Sequence, residues 1–442
     1  MRIRACLDLL FMVCVGMTVS ACFAAEAAKT PNIVLIVFDD LGYGDIGAYG
    51  AQKIATPHLD RLASEGLLMT DFYAGANVCT PSRAALITGK YPARVGLAKK
   101  VMFPHQTGGL APEHVTLAEI LKARGYQTGM VGKWHMGNRV PYWPTHQGFD
   151  FFYGVPHSND MKPFPVYRGE EVVEEEADQN TLTQRFTNEA LEFVNGVKDK
   201  PFFLYYAHTM PHVPLYTTPE HRGKSQAGLY GDVVQFIDAE VGRLLAALEE
   251  WGLTEDTLVV VTSDNGPWYE GSAGGLRGGK GSTWDGGMRV PLLAKWPKRI
   301  PAGSVSSAIA MNIDFAPTLA GFAGKPLEFA VDGKDLSEVW LKGASTPHDH
   351  LLMFEGADVS GVRTQKWKFL ASAYYKRGEI RFDDGRQFND PGLLFPMDIA
   401  DGRERYSLAW ENPKVTERLY GLIVKGRKEM TEPFKDARNA PK

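Results

Sequence analysis

Asn32-Ile33-Val34-Leu35-Ile36-Val37-Phe38-Asp39-Asp40 opens the body of this chain. An apolar run rich in β-branched residues, with no polar alternation, suits a strand covered on both faces in a parallel sheet. Its acidic end matters as much, because ligands of open parallel sheets sit outside the carboxyl ends of the strands. The arrangement recurs. Gln127 to Val131 runs into Gly132-Lys133-Trp134-His135, Pro201 to Ala207 leads to His208 and His212, and Thr257 to Val261 leads to Ser263-Asp264-Asn265-Gly266. Between these runs, apolar residues at helical spacing predict helices over Pro57 to Gly66, Val115 to Ala123, Asn188 to Val197 and Gly231 to Gly252. Strands alternating with helices define a doubly wound α/β layer fold.

Leu67 to Tyr73 reads as a further strand leading into Cys79-Thr80-Pro81-Ser82-Arg83 and the apolar Ala84-Ala85-Leu86-Ile87. Thr80 is a competent N-cap and Pro81 suits the first helical position, which delivers Cys79 to a helix mouth. Free N–H groups and the helix dipole there favour an anion and acidify a thiol. The competing reading is a small buried cysteine of no chemical importance.

Around this core lie a leader and a C-terminal extension. Arg2 and Arg4 precede an apolar stretch from Leu9 to Val19 and a zone of small residues, so residues 1–28 read as an export signal. Val19-Ser20-Ala21-Cys22 resembles a bacterial lipoprotein cleavage box, with lipid attached at Cys22. The alternative is cleavage near Ala25-Glu26-Ala27, giving a soluble periplasmic or secreted protein. Three of the four cysteines (Cys6, Cys14, Cys22) fall in the leader, leaving Cys79 alone in the body and no intrachain disulfide. An unpaired thiol is unusual in an exported protein. The expected organisation is a main domain over 29–345 and a smaller C-terminal α+β domain over 346–442 with a polar tail from Lys435. The net charge of -4 and the lack of a basic stripe exclude nucleic-acid binding.

Asp39, Asp40, Asp264 and Asn265 offer only oxygen ligands, which suit a hard cation such as Ca²⁺ or Mg²⁺. One such pair alone is an ordinary turn, but two pairs on strands that can be neighbours favour a metal site. Arg83, Lys133 and Lys280 would complete a pocket for a compact oxyanion. His135 and His212 are the candidate proton carriers, His208 is the weaker one, and His146 is structural. The stretches Lys99 to Gly109, Val155 to Glu171 and Trp268 to Gly275 are loop-like candidates for substrate selection. Trp268 and Trp284 could stack on sugar rings, although packed aromatics are the default.

Taken in order, Asn32 to Asp40, Gly42-Tyr43-Gly44-Asp45, Cys79-Thr80-Pro81-Ser82-Arg83 and Gly129 to Gly137 resemble the sulfatase family. The likeness continues through His146-Gln147-Gly148-Phe149, Ser263 to Pro267 and Gly279-Lys280-Gly281-Ser282-Thr283. The resemblance is in particular to the arylsulfatase A-like and N-acetylgalactosamine-6-sulfatase-like members. The resemblance implies an alkaline phosphatase-like fold, a large mixed, mostly parallel sheet sandwiched by helices. It also implies that a maturation enzyme oxidises Cys79 to formylglycine, whose hydrate attacks a sulfate ester of a sugar or aryl alcohol.

On the same resemblance Asp39, Asp40, Asp264 and Asn265 hold Ca²⁺, or Mg²⁺, while Arg83 and Lys133 hold the hydrate. Lys133, Lys280 and His212 bind the sulfate oxygens, Lys280 or His212 protonates the departing alcohol, and His135 assists expulsion of sulfate. Ser158, in His157-Ser158-Asn159-Asp160, falls where relatives carry a site serine. The family's Asp-Leu-x-x-Asp-Pro ending is present only as Met397-Asp398-Ile399-Ala400-Asp401-Gly402. Two other functions compete: a phosphate or phosphonate ester hydrolase, and a catalytically silent glycan-binding protein with unmodified Cys79.

Overall fold

The Asn32–Phe38 strand lies near the middle of a ten-stranded sheet. The computed structural model describes residues 30–375, 378–380, 392–398 and 404–431. The leader with Cys6, Cys14 and Cys22, the Ile399–Gly402 part of the ending and the tail from Lys435 lie outside the described residues. The central strands Thr257–Ser263, Asn32–Phe38, Phe202–Ala207, Gln127–Lys133 and Phe151–Val155 run parallel in that order, flanked by antiparallel Leu292–Lys295 on one side and Val166–Arg168 on the other. Along Asn32–Phe38, Ile33, Leu35 and Val37 pack into one core and Val34, Ile36 and Phe38 into another. Apolar residues on both faces are what its continuous run requires.

Helices cover the sheet, among them Pro57–Ser64, Gln179–Val197 and Gly228–Glu250. Two of these are longer than the sequence predicts, and the third is shorter. Gln179–Val197 begins at Asp178, whose carboxylate accepts the Asn180 N–H, well before the expected Asn188. The start of Pro57–Ser64 is held from elsewhere: Asp238 accepts the N–H groups of Leu59 at 2.8 Å and His58 at 3.2 Å. Burial pushes Asp238 up to about 6 despite these bonds. Its folded pKa thus exceeds the unfolded value, so this contribution is full below about pH 4 and is lost as pH rises through 6. Urea unfolding from pH 4 to 7 is expected to show a fall in stability on the order of 2 kcal/mol that Asp238→Asn lacks. Parallel pH profiles for the two proteins would refute this assignment.

The expected strand from Leu67 to Tyr73 is two strands. Leu67–Met69 joins the large sheet, whereas Phe72–Tyr73 pairs with Ala310–Met311 in a separate two-stranded sheet. Asp71 breaks the run because its carboxylate is turned to Arg289 at 3.2 Å and Arg363 at 2.9 Å in a buried ion cluster. Beyond residue 346, strands Leu351–Glu355, Asp358–Arg363, Trp367–Leu370 and Leu393–Pro396 form an antiparallel sheet. The helix Pro413–Thr431 lies on it, close enough that a Cβ at Gly426 would sit 2.8 Å from Leu352. No helix among the described residues is long and apolar enough to cross a membrane.

Candidate active site

Four of the strand ends singled out in the sequence belong to adjacent strands, so their residues meet along one edge of the sheet. Asp264 and Asn265, Asp39 and Asp40, His208 and His212, then Lys133 and His135 follow one another in space as their strands do. The turn after Lys133 is possible because Gly132 has φ +107, and a Cβ there would come within 1.7 Å of the Ala207 carbonyl. Asp40 and His135 also adopt left-handed conformations, φ 67 and 61, which non-glycine residues occupy at a cost. Both follow strand ends at this edge and are held there by the surrounding structure.

The fifth element comes from outside the sheet. Helix Cys79–Thr88 presents Cys79 as its first residue. Val78 precedes the helix without a side-chain cap, so Thr80 is not the N-cap. Its hydroxyl instead donates to the His135 carbonyl at 2.9 Å and accepts the Met102 N–H at 3.0 Å, tying the helix to the strand end opposite. Nor is the thiol acidified. Cys79 is fully buried, and loss of water pushes its pKa far up although Lys133 and Lys280 stand close by. Desolvation outweighs the two cations, so an unmodified Cys79 stays protonated.

Around Cys79 the charges alternate. Its Sγ lies 3.5 Å from Asp39 and 3.4 Å from the Lys280 ammonium. Lys133 bonds Asp39 at 2.6 Å, Lys280 bonds Asp40 at 2.6 Å, and Arg83 bonds Asp264 through Nε at 2.9 Å. The Arg83 fork also reaches the Lys133 carbonyl at 3.1 Å. Burial disfavours the charge on Asp39, but Lys133, His212 and Arg83 more than offset it and hold the carboxyl well below the usual range. Burial, reinforced by the like charges of Asp39 and Asp40, pushes Asp264 up to about 6 even though Arg83 opposes this.

These acids fit a hard divalent cation. Asp39, Asp40, Cys79 and His212 offer donor atoms within 4.8 Å of one another. Asn265 donates its amide to Asp40 at 2.7 Å, while its buried Oδ1 has no hydrogen-bond partner. Asp264 meets Asp40 through the backbone N–H of Asp40 at 3.2 Å. An unused carbonyl oxygen beside crowded carboxylates is a donor set of the kind Ca²⁺ or Mg²⁺ takes.

The two candidate proton carriers are held through different ring nitrogens. His135 is buried, and burial together with Lys133 and Arg83 keeps its pKa well below the usual value. Its Nε2 faces the Met102 carbonyl at 2.9 Å and so carries the proton, leaving buried Nδ1 without a partner and with a free lone pair. His212 is set differently. Asn159 donates to the carbonyls of His212 and Pro214, so its Oδ1 faces His212 Nδ1 at 3.0 Å and fixes a proton there. His212 Nε2 then points to Ser158 Oγ at 3.3 Å and Asp40 at 3.7 Å. Ser158 also accepts from Lys133 at 3.2 Å. His208 lies against the rings of Phe38 and Tyr206, its pKa lowered to about 3 by burial, and is packing. His146 pairs with Glu170 on the surface, 3.0 Å away.

Asn159 is the residue sequence reasoning missed. It stands beside Ser158, yet nothing in the local pattern says that its partner is 53 positions away. Trp284 is fully buried under Phe395 and Arg277, which removes it as a sugar platform.

Three cations enclosing a buried side chain beside a hard-cation site, on a parallel sheet edge, define a hydrolase of compact oxyanion esters. The sulfatase family model matches residues 31–325, and that of the N-sulphoglucosamine sulphohydrolase C-terminal region matches 279–387. Human arylsulfatase A is 38% identical, over 89% of this chain and 87% of its own. The N-acetylgalactosamine-6-sulfatase of Canis lupus familiaris is 39% identical, covering 90% and 88%. Among solved structures, Ps i-CgsB in complex with k-i-k-neocarrahexaose superimposes with a TM-score of 0.80 at 29% identity, covering 90% and 93%. The chain belongs to the sulfatase family and hydrolyses sulfate esters.

Proposed function

We propose that this protein is an exported sulfatase of sulfated saccharides, in which Cys79 is converted to formylglycine by a maturation enzyme. Asp39, Asp40, Asp264 and Asn265 hold Ca²⁺ in this reading, with Mg²⁺ as the competing ion. The observation that carries it is the placement of Cys79, a buried thiol at the centre of the charged ring, 3.5 Å from Asp39 and 3.4 Å from the Lys280 ammonium. Such a thiol is a poor nucleophile, whereas an aldehyde hydrate on the same carbon supplies one hydroxyl for attack and a second for regeneration. A bound divalent cation supplies positive charge that acidifies the attacking hydroxyl.

The chain's own residues do the rest. Arg83 and Lys133 orient residue 79, while Lys133, Lys280 and His212 grip the sulfate oxygens, with Ser158 bridging Lys133 and His212. Lys280 or His212 protonates the departing alcohol in this reading. The free lone pair of His135 takes a proton when sulfate is expelled. Saccharide substrates are supported by the names of the relatives, one an N-acetylgalactosamine-6-sulfatase and one bound to a neocarrahexaose. Export rests on the leader, with anchoring through lipidated Cys22 the alternative fate. A main part over 29–345 and a C-terminal part over 346–442 complete the reading.

Sulfate and phosphate esters of the same alcohol test the chemistry: faster hydrolysis of the phosphate would overturn it. Dialysis against a chelator is expected to lower hydrolysis of 4-nitrophenyl sulfate by about 100-fold or more, with Ca²⁺ restoring it. The metal-free protein is also expected to melt lower, because an ion that binds only the folded state stabilises it. Unchanged rate and melting temperature after chelation would refute the metal site.

A further inference from the structure

The glycine-rich segment after Asn265 forms one wall of a cleft of about 560 Å³, lined among others by Pro267, Trp268, Tyr269, Gly279 and Lys280. Its volume is that of a small-ligand pocket, about 300–1,000 Å³. Lys280 makes it part of the active site, since the same side chain reaches Cys79 at 3.4 Å. Away from Lys280 the wall is aromatic. Trp268 is half-buried, Tyr269 is 67% exposed, and their rings meet edge to face with centroids 4.9 Å apart.

A loop so rich in glycine could be loose, but this one is pinned. The buried Asp45 carboxylate accepts the Ser272 N–H at 2.9 Å, the Gly42 N–H at 2.9 Å and the Tyr230 hydroxyl at 2.5 Å. Gly44 donates to the Ser272 carbonyl at 2.8 Å, and a Cβ on Gly44 would lie 2.5 Å from Gly274. The turn that follows the Asp39-Asp40 pair therefore fixes the loop that carries the aromatic wall. A preformed aromatic face beside the sulfate-binding lysine matches a pyranose, which has an apolar C–H face and a polar rim.

We propose that Trp268 and Tyr269 are the platform on which the saccharide stacks as its sulfate reaches Lys280, making this loop the specificity wall for an extended sulfated saccharide. The proposal rests on the sulfated-saccharide reading above. Its test compares 4-nitrophenyl sulfate with neocarratetraose sulfate and chondroitin 6-sulfate tetrasaccharide. For the tetrasaccharide that the parent enzyme hydrolyses, Trp268→Ala and Tyr269→Ala are expected to lower kcat/KM by about tenfold or more, mainly through KM. The loss on 4-nitrophenyl sulfate, which has no further rings to lie along the wall, should be at least about fivefold smaller, and Trp268→Phe should recover most of the tetrasaccharide activity. Equal losses on both kinds of ester, or none on the tetrasaccharide, would overturn the platform while leaving the saccharide reading intact. If the parent enzyme hydrolyses 4-nitrophenyl sulfate and neither tetrasaccharide, the saccharide reading itself is overturned, and the platform with it.

Discussion

Cys79→Ala is expected to lower kcat for 4-nitrophenyl sulfate by roughly 10⁵-fold, the scale of deleting a covalent nucleophile. The residue is fully buried and small, so the fold should survive and the melting temperature should change little. What disappears, on the proposed reading, is the carbon that would carry the reacting group. Arg83, Lys133 and Lys280 would remain, with nothing for them to orient. Cys79→Ser tests the same point more narrowly, because a single hydroxyl can attack but cannot restore itself by expelling sulfate. Peptide mass spectrometry across residue 79 of protein from its native host supplies the complementary measurement. An aldehyde, detected as a peptide lighter than the thiol form, is the expected result. Full activity in the alanine variant, or an intact thiol in fully active protein, would remove Cys79 from the chemistry.

Lys368→Met is expected to cost roughly 3–5 kcal/mol in stability, the usual effect of removing one partner from a buried ion cluster. Lys368 is fully buried and contacts Asp285 at 2.8 Å and Glu404 at 2.5 Å. Methionine preserves much of the volume but leaves two buried acids with one cation fewer. Burial already pushes Glu404 up to about 7 against the pull of Lys368, so the variant should take up a proton there. The cluster extends through Arg289, Asp71 and Arg363 and joins the C-terminal sheet to Asp285–Met288, just beyond the loop that carries Lys280. Denaturant unfolding of the two proteins at pH 7 measures the loss. A difference below about 1 kcal/mol would mean that the cluster relaxes without Lys368.

The parts of this protein legible in the sequence are those whose causes are local. An apolar run such as Asn32–Phe38 can only be covered on both faces, and alternation with helices makes the sheet parallel. Acids, cations and histidines at successive strand ends then point to one edge, which is where the structure brings Asp39, Asp40, Lys133, His212, Asp264 and Asn265 together. Thr80 departs from its local propensity for a complementary reason. Its capping propensity is real, but His135 and Met102, tens of residues away, compete for the hydroxyl and win. The Leu67–Tyr73 run divides because Asp71 is drawn to arginines more than 200 positions further on.

By itself the sequence determined the layer architecture, the lone body cysteine and the set of residues available for oxyanion chemistry. Those follow from side-chain type and spacing, which are written into the chain. Only the tertiary structure decided the state of each group: that burial keeps the Cys79 thiol protonated, that His135 has a free lone pair, and that Asn159 fixes the proton on His212. It likewise decided that Asp45 pins the Trp268–Tyr269 wall while Trp284 is buried. Protonation and orientation depend on dielectric and on partners brought together by folding, and neither exists until the chain has closed around them.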